Sequence, residues 1–298
     1  MSRKTLLLII GLSGLLLSTW ILAGAPVQGD SNSHSEDASP AVVTSPTLDL
    51  LALNVAHGRG SALNQLLVTE SSHQKNLDDI AALISSSGAH IVALQEADGP
   101  SLWSGGFDHV EYLSGATGYT SLIHGYHANS WLYAYGAALI SPVRLLDTGS
   151  AQFESSWPTA TKGYVRGDIS WRNSESQDNI RRITVVSVHL DFSRKAVRQA
   201  QIAQLADELA AISNPLIVLG DFNADWSQAE SPVRILAREL GLHAFDPVAE
   251  GLGTYKGSER LDWVLISDEL VFVDYTVLPD IVSDHLALLT RIAWDIGK

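Results

Sequence analysis

The stretch VLGDFNADW, residues 218–226, joins an apolar run to a cluster of polar side chains. The run Leu216–Leu219 has the length and composition of a buried strand, and it stops at Gly220. Asp221 and Asn223 follow at once, and alternate residues leaving a strand project to the same side. The carboxylate can bind a cation or accept a proton, and the amide can donate to a phosphate oxygen. A simple turn held by Asx hydrogen bonds is the competing interpretation.

The composition limits the kind of protein that this chain can form. Its 298 residues are 46% hydrophobic and 17% charged, which supplies enough apolar side chains for a large core. The chain has no cysteine, so disulfides and thiolate metal sites are excluded. Any metal is therefore held by oxygen ligands or histidine, and oxygen ligands favour Mg²⁺, Ca²⁺ or Mn²⁺.

The N-terminus has the pattern of a targeting segment. Arg3 and Lys4 precede an uncharged run that continues to about Ala25, where small residues suit cleavage. The run is also long enough to span a bilayer, at roughly 20 residues. We therefore expect residues 1–25 to be a signal peptide or, alternatively, a membrane anchor through residues 5–25. Either interpretation places the body outside the cytoplasm, in the periplasm or the extracellular space.

Residues 26–46 are rich in Ser, Asp, Pro and Ala and lack apolar periodicity, which predicts a flexible linker. The body, residues 47–298, is expected to be a single domain and a monomer. It carries 17 basic and 30 acidic residues, a net charge of −13. This charge disfavours nucleic acid as a partner, because a long polyanion is repelled unless a basic patch or a metal offsets the field.

Hydrophobic periodicity predicts more strands than helices in the body, and several strands follow one another without a helix between them. This order argues against a simple βαβ repeat. It favours an α/β fold in which two mixed sheets pack face to face with helices outside, a four-layer sandwich. Helices are predicted at 76–88, 194–212 and 231–240, and strands at 48–54, 90–96, 133–141, 182–190, 215–221, 261–267, 270–278 and 286–294.

Polar residues suited to phosphate and metal chemistry recur where the predicted strands end. Each has an ordinary explanation by itself, such as a loop carboxylate, a buried core histidine or a turn cap. Their joint occurrence at the ends of hydrophobic strands favours one shared site. The set comprises Asn54, Glu96, His189, Asp221, Asn223, Asp262, Asp284 and His285.

The order of these motifs resembles the endonuclease/exonuclease/phosphatase superfamily. That group includes DNase I-like nucleases, abasic-site endonucleases, inositol-polyphosphate phosphatases and neutral sphingomyelinases. The resemblance extends from Leu48 to Leu289 and implies a DNase I-like sandwich that hydrolyses phosphate esters. It is carried by LNVAHG (53–58), LQEADG (94–99), YGAALIS (135–141), VVSVHLDF (185–192), GDFNADW (220–226), RLDWVLIS (260–267) and SDHLALL (283–289).

The resemblance also implies a metal site. Glu96 matches the family's main metal carboxylate, and Asn54 matches the amide beside it. Asp284 matches a residue next to the metal and the attacking water. The implied cofactor is Mg²⁺ or Mn²⁺, either of which neutralises phosphate oxygens.

The remaining site residues match catalytic positions of the family. Asp221 and Asn223 match the pair that handles the attacking water and the phosphate. His285 matches the catalytic histidine, and Asp262 matches the carboxylate that orients it. His189 matches a second histidine, which contacts the phosphate or helps to protonate the leaving group.

Two departures separate this chain from the abasic-site nucleases. Ala56 stands two positions after Asn54, where those enzymes usually have an acidic residue, and the chain has no long basic insertion for duplex binding. His57 and Arg59 are candidate contacts to the substrate phosphate; a glycine-rich turn with a solvated arginine is the alternative.

The sequence thus predicts an exported, metal-dependent hydrolase of phosphate esters. A phosphodiesterase that uses in-line attack of water on a small or lipid-derived diester fits best. A secreted endonuclease that cleaves DNA or RNA is the first alternative, and a non-catalytic exported binding module with the same fold is the second.

Overall fold

Two β-sheets packed face to face form the frame of the protein. The computed structural model describes residues 41–60, 62, 64, 68–173 and 180–295. The targeting segment predicted at residues 1–25 and most of the predicted linker lie outside these ranges. No helix within them has the length and apolar character needed to cross a bilayer.

The strands account for most of the regular structure, as the sequence predicts. The described residues form thirteen of them: β1 (Val43–Thr44), β2 (Leu48–Asn54), β3 (Ile91–Asp98), β4 (Ser121–Asn129), β5 (Ala134–Ser141), β6 (Leu146–Gln152), β7 (Gly163–Arg172), β8 (Arg181–His189), β9 (Leu216–Asp221), β10 (Leu242–Ala244), β11 (Asp262–Ser267), β12 (Leu270–Val277) and β13 (Leu288–Trp294).

Four α-helices and one 3₁₀ turn (Ala56–Gly58) complete the described elements. Helix α1 begins after a Thr69 cap and ends at Gly88, whose positive φ of 62° gives the glycine stop that the sequence predicts. The helices are α1 (Glu70–Ser87), α2 (His109–Thr117), α3 (Lys195–Leu209) and α4 (Pro232–Leu240).

The two sheets mix parallel and antiparallel pairs. One sheet has the order β1-β7-β8-β9-β11-β10, with β6 also paired to β7. The other has the order β12-β13-β2-β3-β5-β4. Pairs β2/β3 and β8/β9 are parallel, whereas β9/β11 and β13/β2 are antiparallel.

The main core lies between the sheets, and each sheet covers a second core with its own helices. Leu50 and Ile217 are fully buried in the central layer. Leu77 and Ile80 of α1 pack on the outer face of the β2/β3 sheet, and Ile202 of α3 packs on the outer face of the β8/β9 sheet. The four-layer α/β sandwich predicted from the sequence is confirmed.

The folded body begins before the predicted boundary at residue 47. Val43 pairs with Trp171 in a parallel bridge, and its side chain is buried in the central core. The stretch Val43–Thr44, predicted as linker, is therefore part of the sheet, because β7 offers it both a hydrogen-bonding edge and an apolar face.

The strand register brings the ends of both sheets to one edge, which we call the polar edge. His189, Asp221 and Asp262 are direct neighbours across β8, β9 and β11. Asn54 ends β2, and its side-chain amide donates to Asp221 of the other sheet over 3.0 Å. The loops at this edge therefore surround one shared set of polar side chains.

Candidate active site

A cleft of about 350 Å³ opens at the polar edge. Its walls come from both sheets, so packing of the sandwich creates it. Seven of the ten residues predicted for the site line it: Asn54, Arg59, Glu96, Asp221, Asn223, Asp284 and His285.

His285 is held by a buried carboxylate at the base of the cleft. Its Nδ1 lies 2.8 Å from Oδ2 of Asp262, which also accepts a hydrogen bond from the Thr254 hydroxyl over 2.5 Å. Burial would lower the pKa of His285, but Asp262 and Asp221 outweigh it and raise the pKa to about 10. The pair fixes the ring orientation and leaves Nε2 directed towards Asp221, 3.9 Å away.

Asp221 takes part both in the predicted turn and in the predicted site. Its Oδ1 accepts the backbone N–H of Asn223 over 2.8 Å, which is the Asx turn that the sequence allowed. Its Oδ2 accepts from Asn54 and faces Nε2 of His189 at 3.6 Å. Burial raises the pKa of Asp221 to about 7, and the Asp262 charge adds to this effect. A carboxylate with such a pKa can take a proton from water near neutral pH.

The two amides of the site are fixed by backbone contacts. Asn54 Oδ1 accepts the N–H of Ala56 over 2.9 Å, which orients its Nδ2 towards Asp221. Asn223 has a positive φ of 48°, and its Nδ2 donates to the carbonyl oxygen of Leu190 over 3.0 Å. Both side chains are therefore preorganised.

Glu96 stands at a β-bulge, where the pairing of β3 with β5 shifts between Gln95 and Ala97. Its φ is 51°, and the bulge turns its side chain towards the cleft. Burial opposes ionisation, but the positive charges of His57 and Lys162 hold the pKa of Glu96 far below its usual value. Glu96 is therefore ionised near neutral pH.

His57 contacts acidic residues on both ring nitrogens. Nδ1 lies 2.7 Å from Oδ1 of Asp98, and Nε2 lies 3.3 Å from Oε2 of Glu96. Burial opposes protonation, yet Asp98 and Glu96 raise the pKa of His57. The sequence predicts a contact with substrate phosphate for this residue, but the structure places it against Glu96, so a phosphate contact requires one of these partners to move.

Arg59 and Asp284 are predicted for different roles, and the structure pairs them with each other. Nη2 of Arg59 lies 2.6 Å from Oδ2 of Asp284, and both line the cleft. A phosphate at Arg59 or a cation at Asp284 would therefore compete with this ion pair.

Lys162, the first residue of a Lys-Gly-Tyr segment, also belongs to the site. Its buried ammonium lies 3.4 Å from Nδ1 of His189 and 3.9 Å from Oε1 of Glu96. Because an ammonium only donates, Nδ1 of His189 must accept, and the ring hydrogen lies on Nε2. Burial and Lys162 lower the pKa of His189, so the ring is a neutral donor. Of the two roles foreseen for His189, contact with the phosphate fits this arrangement better than proton donation.

The donor set at the cleft suits a divalent cation. The carboxylates of Glu96 and Asp221 line the cleft, and Oδ1 of Asp262, which is buried beside His285, has no hydrogen-bond partner among the described residues. Among the described residues, Asp221, Asp262 and His285 place ligand atoms within 4.8 Å of one another. Within this trio, Nδ1 of His285 and Oδ2 of Asp262 already contact each other at 2.8 Å. Glu96, which faces the cleft, is the better ligand.

Replacing Lys162 with methionine is expected to reduce kcat for a phosphoester by about 10–100-fold, because His189 loses the partner that fixes its tautomer. The temperature of thermal unfolding should change little, because a methionine side chain occupies a similar volume to that of lysine. The measurement is kcat and KM of the purified variant. Lys75→Met is the control, because Lys75 is an exposed lysine of α1. Equal kcat for Lys162→Met and the natural chain would remove Lys162 from the site.

The chain is similar to known proteins of one family. The model of the endonuclease/exonuclease/phosphatase family matches residues 51–285. No curated protein matches the chain. A family protein from Leptotrichia buccalis has a TM-score of 0.60 at 18% identity, covering 83% of this chain and all of that one.

Two further solved structures share the fold. The catalytic domain of human nocturnin has a TM-score of 0.60 at 20% identity, covering 84% of this chain and 96% of that one. The mannosyl-6-phosphatase of Bacteroides thetaiotaomicron has a TM-score of 0.58 at 15% identity, covering 83% and 100%. With the family match spanning most of the folded body, the chain belongs to the endonuclease/exonuclease/phosphatase family.

Proposed function

We propose that this protein is an exported, metal-dependent phosphodiesterase. The observation that carries the proposal is the convergence of Asn54, Glu96, Asp221 and the His285–Asp262 pair in one cleft. These groups can hold a divalent cation, position water and stabilise phosphoryl oxygens within one small volume. Mg²⁺ is the proposed cation, with Mn²⁺ as the alternative.

The chain's residues divide the reaction between them. Asp221 takes a proton from the attacking water, and His285, oriented by Asp262, stabilises the charge that develops on the phosphoryl group. His189 and Asn223 donate to phosphoryl oxygens. Glu96 and Asn54 would hold the cation, which when bound would neutralise the diester and stabilise developing charge. One P–O ester bond breaks as the water oxygen bonds to phosphorus, and the departing alkoxide takes a proton from solvent to leave as the alcohol.

Charge favours a small diester over a long nucleic acid. The folded body carries a net charge of −13, and the ammonium and guanidinium nearest the cleft, Lys162 and Arg59, are paired with acidic groups. A secreted nuclease on the same site remains the second candidate, and it predicts steep salt dependence of binding. Export is proposed from the pattern of residues 1–25.

The test is hydrolysis of bis-p-nitrophenyl phosphate and p-nitrophenyl phosphate by the purified chain, with Mg²⁺, Mn²⁺ or EDTA. We expect metal-dependent turnover that favours the diester, and loss of this turnover in Glu96→Gln. The monoester is included because one structural neighbour is named as a phosphatase.

Glu154→Gln is the matched control, because Glu154 is an exposed glutamate outside the cleft. Turnover that persists in EDTA would overturn the metal assignment. Absence of turnover with every metal and both substrates, together with intact folding, would support the binding module.

A further inference from the structure

Exposed apolar side chains are concentrated around the cleft. Among the described residues, nine large hydrophobic side chains are exposed. Six of them, which we call the apolar rim, are 64–84% exposed and lie in loops of the polar edge: Leu102, Trp131, Trp157, Phe192, Val248 and Ile281.

The strand register places all six loops at the same edge. Trp131 lies between β4 and β5, whose last and first residues, Asn129 and Ala134, pair with each other. Trp157 lies between β6 and β7, which pair there through Gln152 and Gly163.

The other four loops follow the same rule. Leu102 follows the end of β3, Phe192 follows the end of β8, Val248 lies between β10 and β11, and Ile281 lies between β12 and β13. Each of these loops begins or ends where a strand reaches the polar edge.

The remaining three exposed hydrophobic side chains lie away from the polar edge. Ile180 precedes β8 at the opposite edge, while Val271 and Val273 lie on the outer strand β12. Single exposed hydrophobic side chains are ordinary on soluble proteins. Six of them on six different loops at the edge that holds the cleft indicate a surface that contacts a nonpolar environment.

Two rim residues are held outward by a rigid support. The guanidinium of Arg194 donates to the carbonyl oxygens of Trp157, over 3.2 Å, and of Ser156. The buried carboxylate of Asp191 accepts from Thr159 over 2.5 Å and from the backbone N–H of Arg194 over 2.8 Å. The loops that carry Trp157 and Phe192 are therefore tied together, and their exposure is built into the fold.

One rim residue lies in the site itself. Phe192 lines the same cleft as Asp221 and Asn223. A substrate that places a phosphodiester at Asp221 therefore has apolar surface beside it. This combination fits an amphiphile, in which a charged headgroup adjoins hydrocarbon.

We propose that the apolar rim docks the polar edge onto a zwitterionic phospholipid surface, and that the substrate is a phosphodiester headgroup of that surface. The inference rests on the proposed function and names its substrate class. The body's net charge of −13 disfavours an anionic bilayer, which would repel it, whereas a zwitterionic surface carries no such penalty. Trp side chains suit this role because they settle at the boundary between water and hydrocarbon.

The test compares the full chain with Trp131→Ser/Trp157→Ser. Phosphatidylcholine and phosphatidylglycerol vesicles are the lipid substrates, and bis-p-nitrophenyl phosphate is the soluble one. We expect the double variant to lose at least ten-fold of its turnover on phosphatidylcholine vesicles and to keep turnover of the soluble diester within two-fold. Val271→Ser/Val273→Ser is the matched control and should lose neither activity.

A second measurement reports docking without catalysis. Brominated phosphatidylcholine should quench the tryptophan fluorescence of the natural chain more than that of the double variant, and residues 1–40 are common to both. Equal vesicle turnover and equal quenching in the two proteins would overturn the proposal, as would a preference for phosphatidylglycerol. If the natural chain is a dimer and the double variant is a monomer, the rim contacts a second copy of the chain and not a lipid surface.

Failure of this inference differs from failure of the proposed function. If the rim has no role, the soluble diester is still hydrolysed and only the lipid-specific difference is absent. If the protein is not a phosphodiesterase, no diester is hydrolysed, while quenching still reports whether the rim docks.

Discussion

Replacing His285 with alanine is expected to lower kcat for a phosphodiester by about 10³–10⁴-fold, with a much smaller change in KM. The imidazole lies at the base of the cleft, and Asp262 fixes its orientation. Alanine removes the group that stabilises charge on the phosphoryl oxygens, which is an interaction stronger in the transition state than in the ground state.

The Asp262→Asn variant separates orientation from charge. Asparagine has nearly the size and shape of aspartate, but it has no negative charge to stabilise the imidazolium of His285. We therefore expect kcat to fall by about 10²–10⁴-fold. Steady-state kinetics with thermal unfolding is the measurement, and His243→Ala is the matched control because His243 pairs with Asp268 away from the cleft. A ten-fold or smaller loss of kcat in His285→Ala would assign the chemistry to another residue.

Replacing Asp221 with asparagine is expected to abolish activity while stabilising the fold. We expect kcat to fall by about 10³-fold or more, because asparagine cannot take a proton from water. Burial raises the pKa of Asp221 to about 7, so the folded state holds this charge at a cost above that pH. The stability contributed by the protonated form is present below pH about 4 and is lost as the pH rises through about 7.

The asparagine variant should therefore unfold at a higher temperature than the natural chain at pH 8 in EDTA. The difference should shrink at pH 5, where the natural chain holds Asp221 protonated. Asp207→Asn, an exposed aspartate of α3, is the control and should shift neither kcat nor the unfolding temperature. A variant that is less stable than the natural chain at pH 8 would show that Asp221 is held by attraction to His285 and not strained by burial.

The strands and helices with clear apolar periodicity were predictable from the sequence. Strand β9 and the glycine stop of α1 lie where the pattern places them. Helix α1 begins at Glu70, six residues before the predicted start, because its first turns are polar and only the Thr69 cap marks them.

Several elements were not predictable because tertiary contacts stabilise their polar side chains. Strand β4 carries His124 and His127, which are buried in the fold. His124 lies 3.1 Å from the carbonyl oxygen of Ala97, and His127 lies 3.2 Å from that of Tyr164. The sequence pattern of β4 does not predict a buried strand, because buried polar side chains need hydrogen-bond partners and those partners are distant in sequence.

The sequence by itself determined eight of the thirteen described strands and the polar side chains that stand at their ends. The candidate residues follow from these strand ends, because a polar group beside an apolar run must lie at an edge of the sheet, and the order of the motifs resembles one family. Asp221 and Glu96 end apolar runs, whereas Asp262 and His285 stand directly before them.

Only the tertiary structure decided which of these groups touch. Arg59 pairs with Asp284 across 225 positions of sequence, His57 lies against Glu96, and Lys162 sets the tautomer of His189. The same packing gathers the apolar rim around the cleft. These distances depend on how the two sheets stack and on the loop conformations that follow, and local propensity carries no information about separations of that kind.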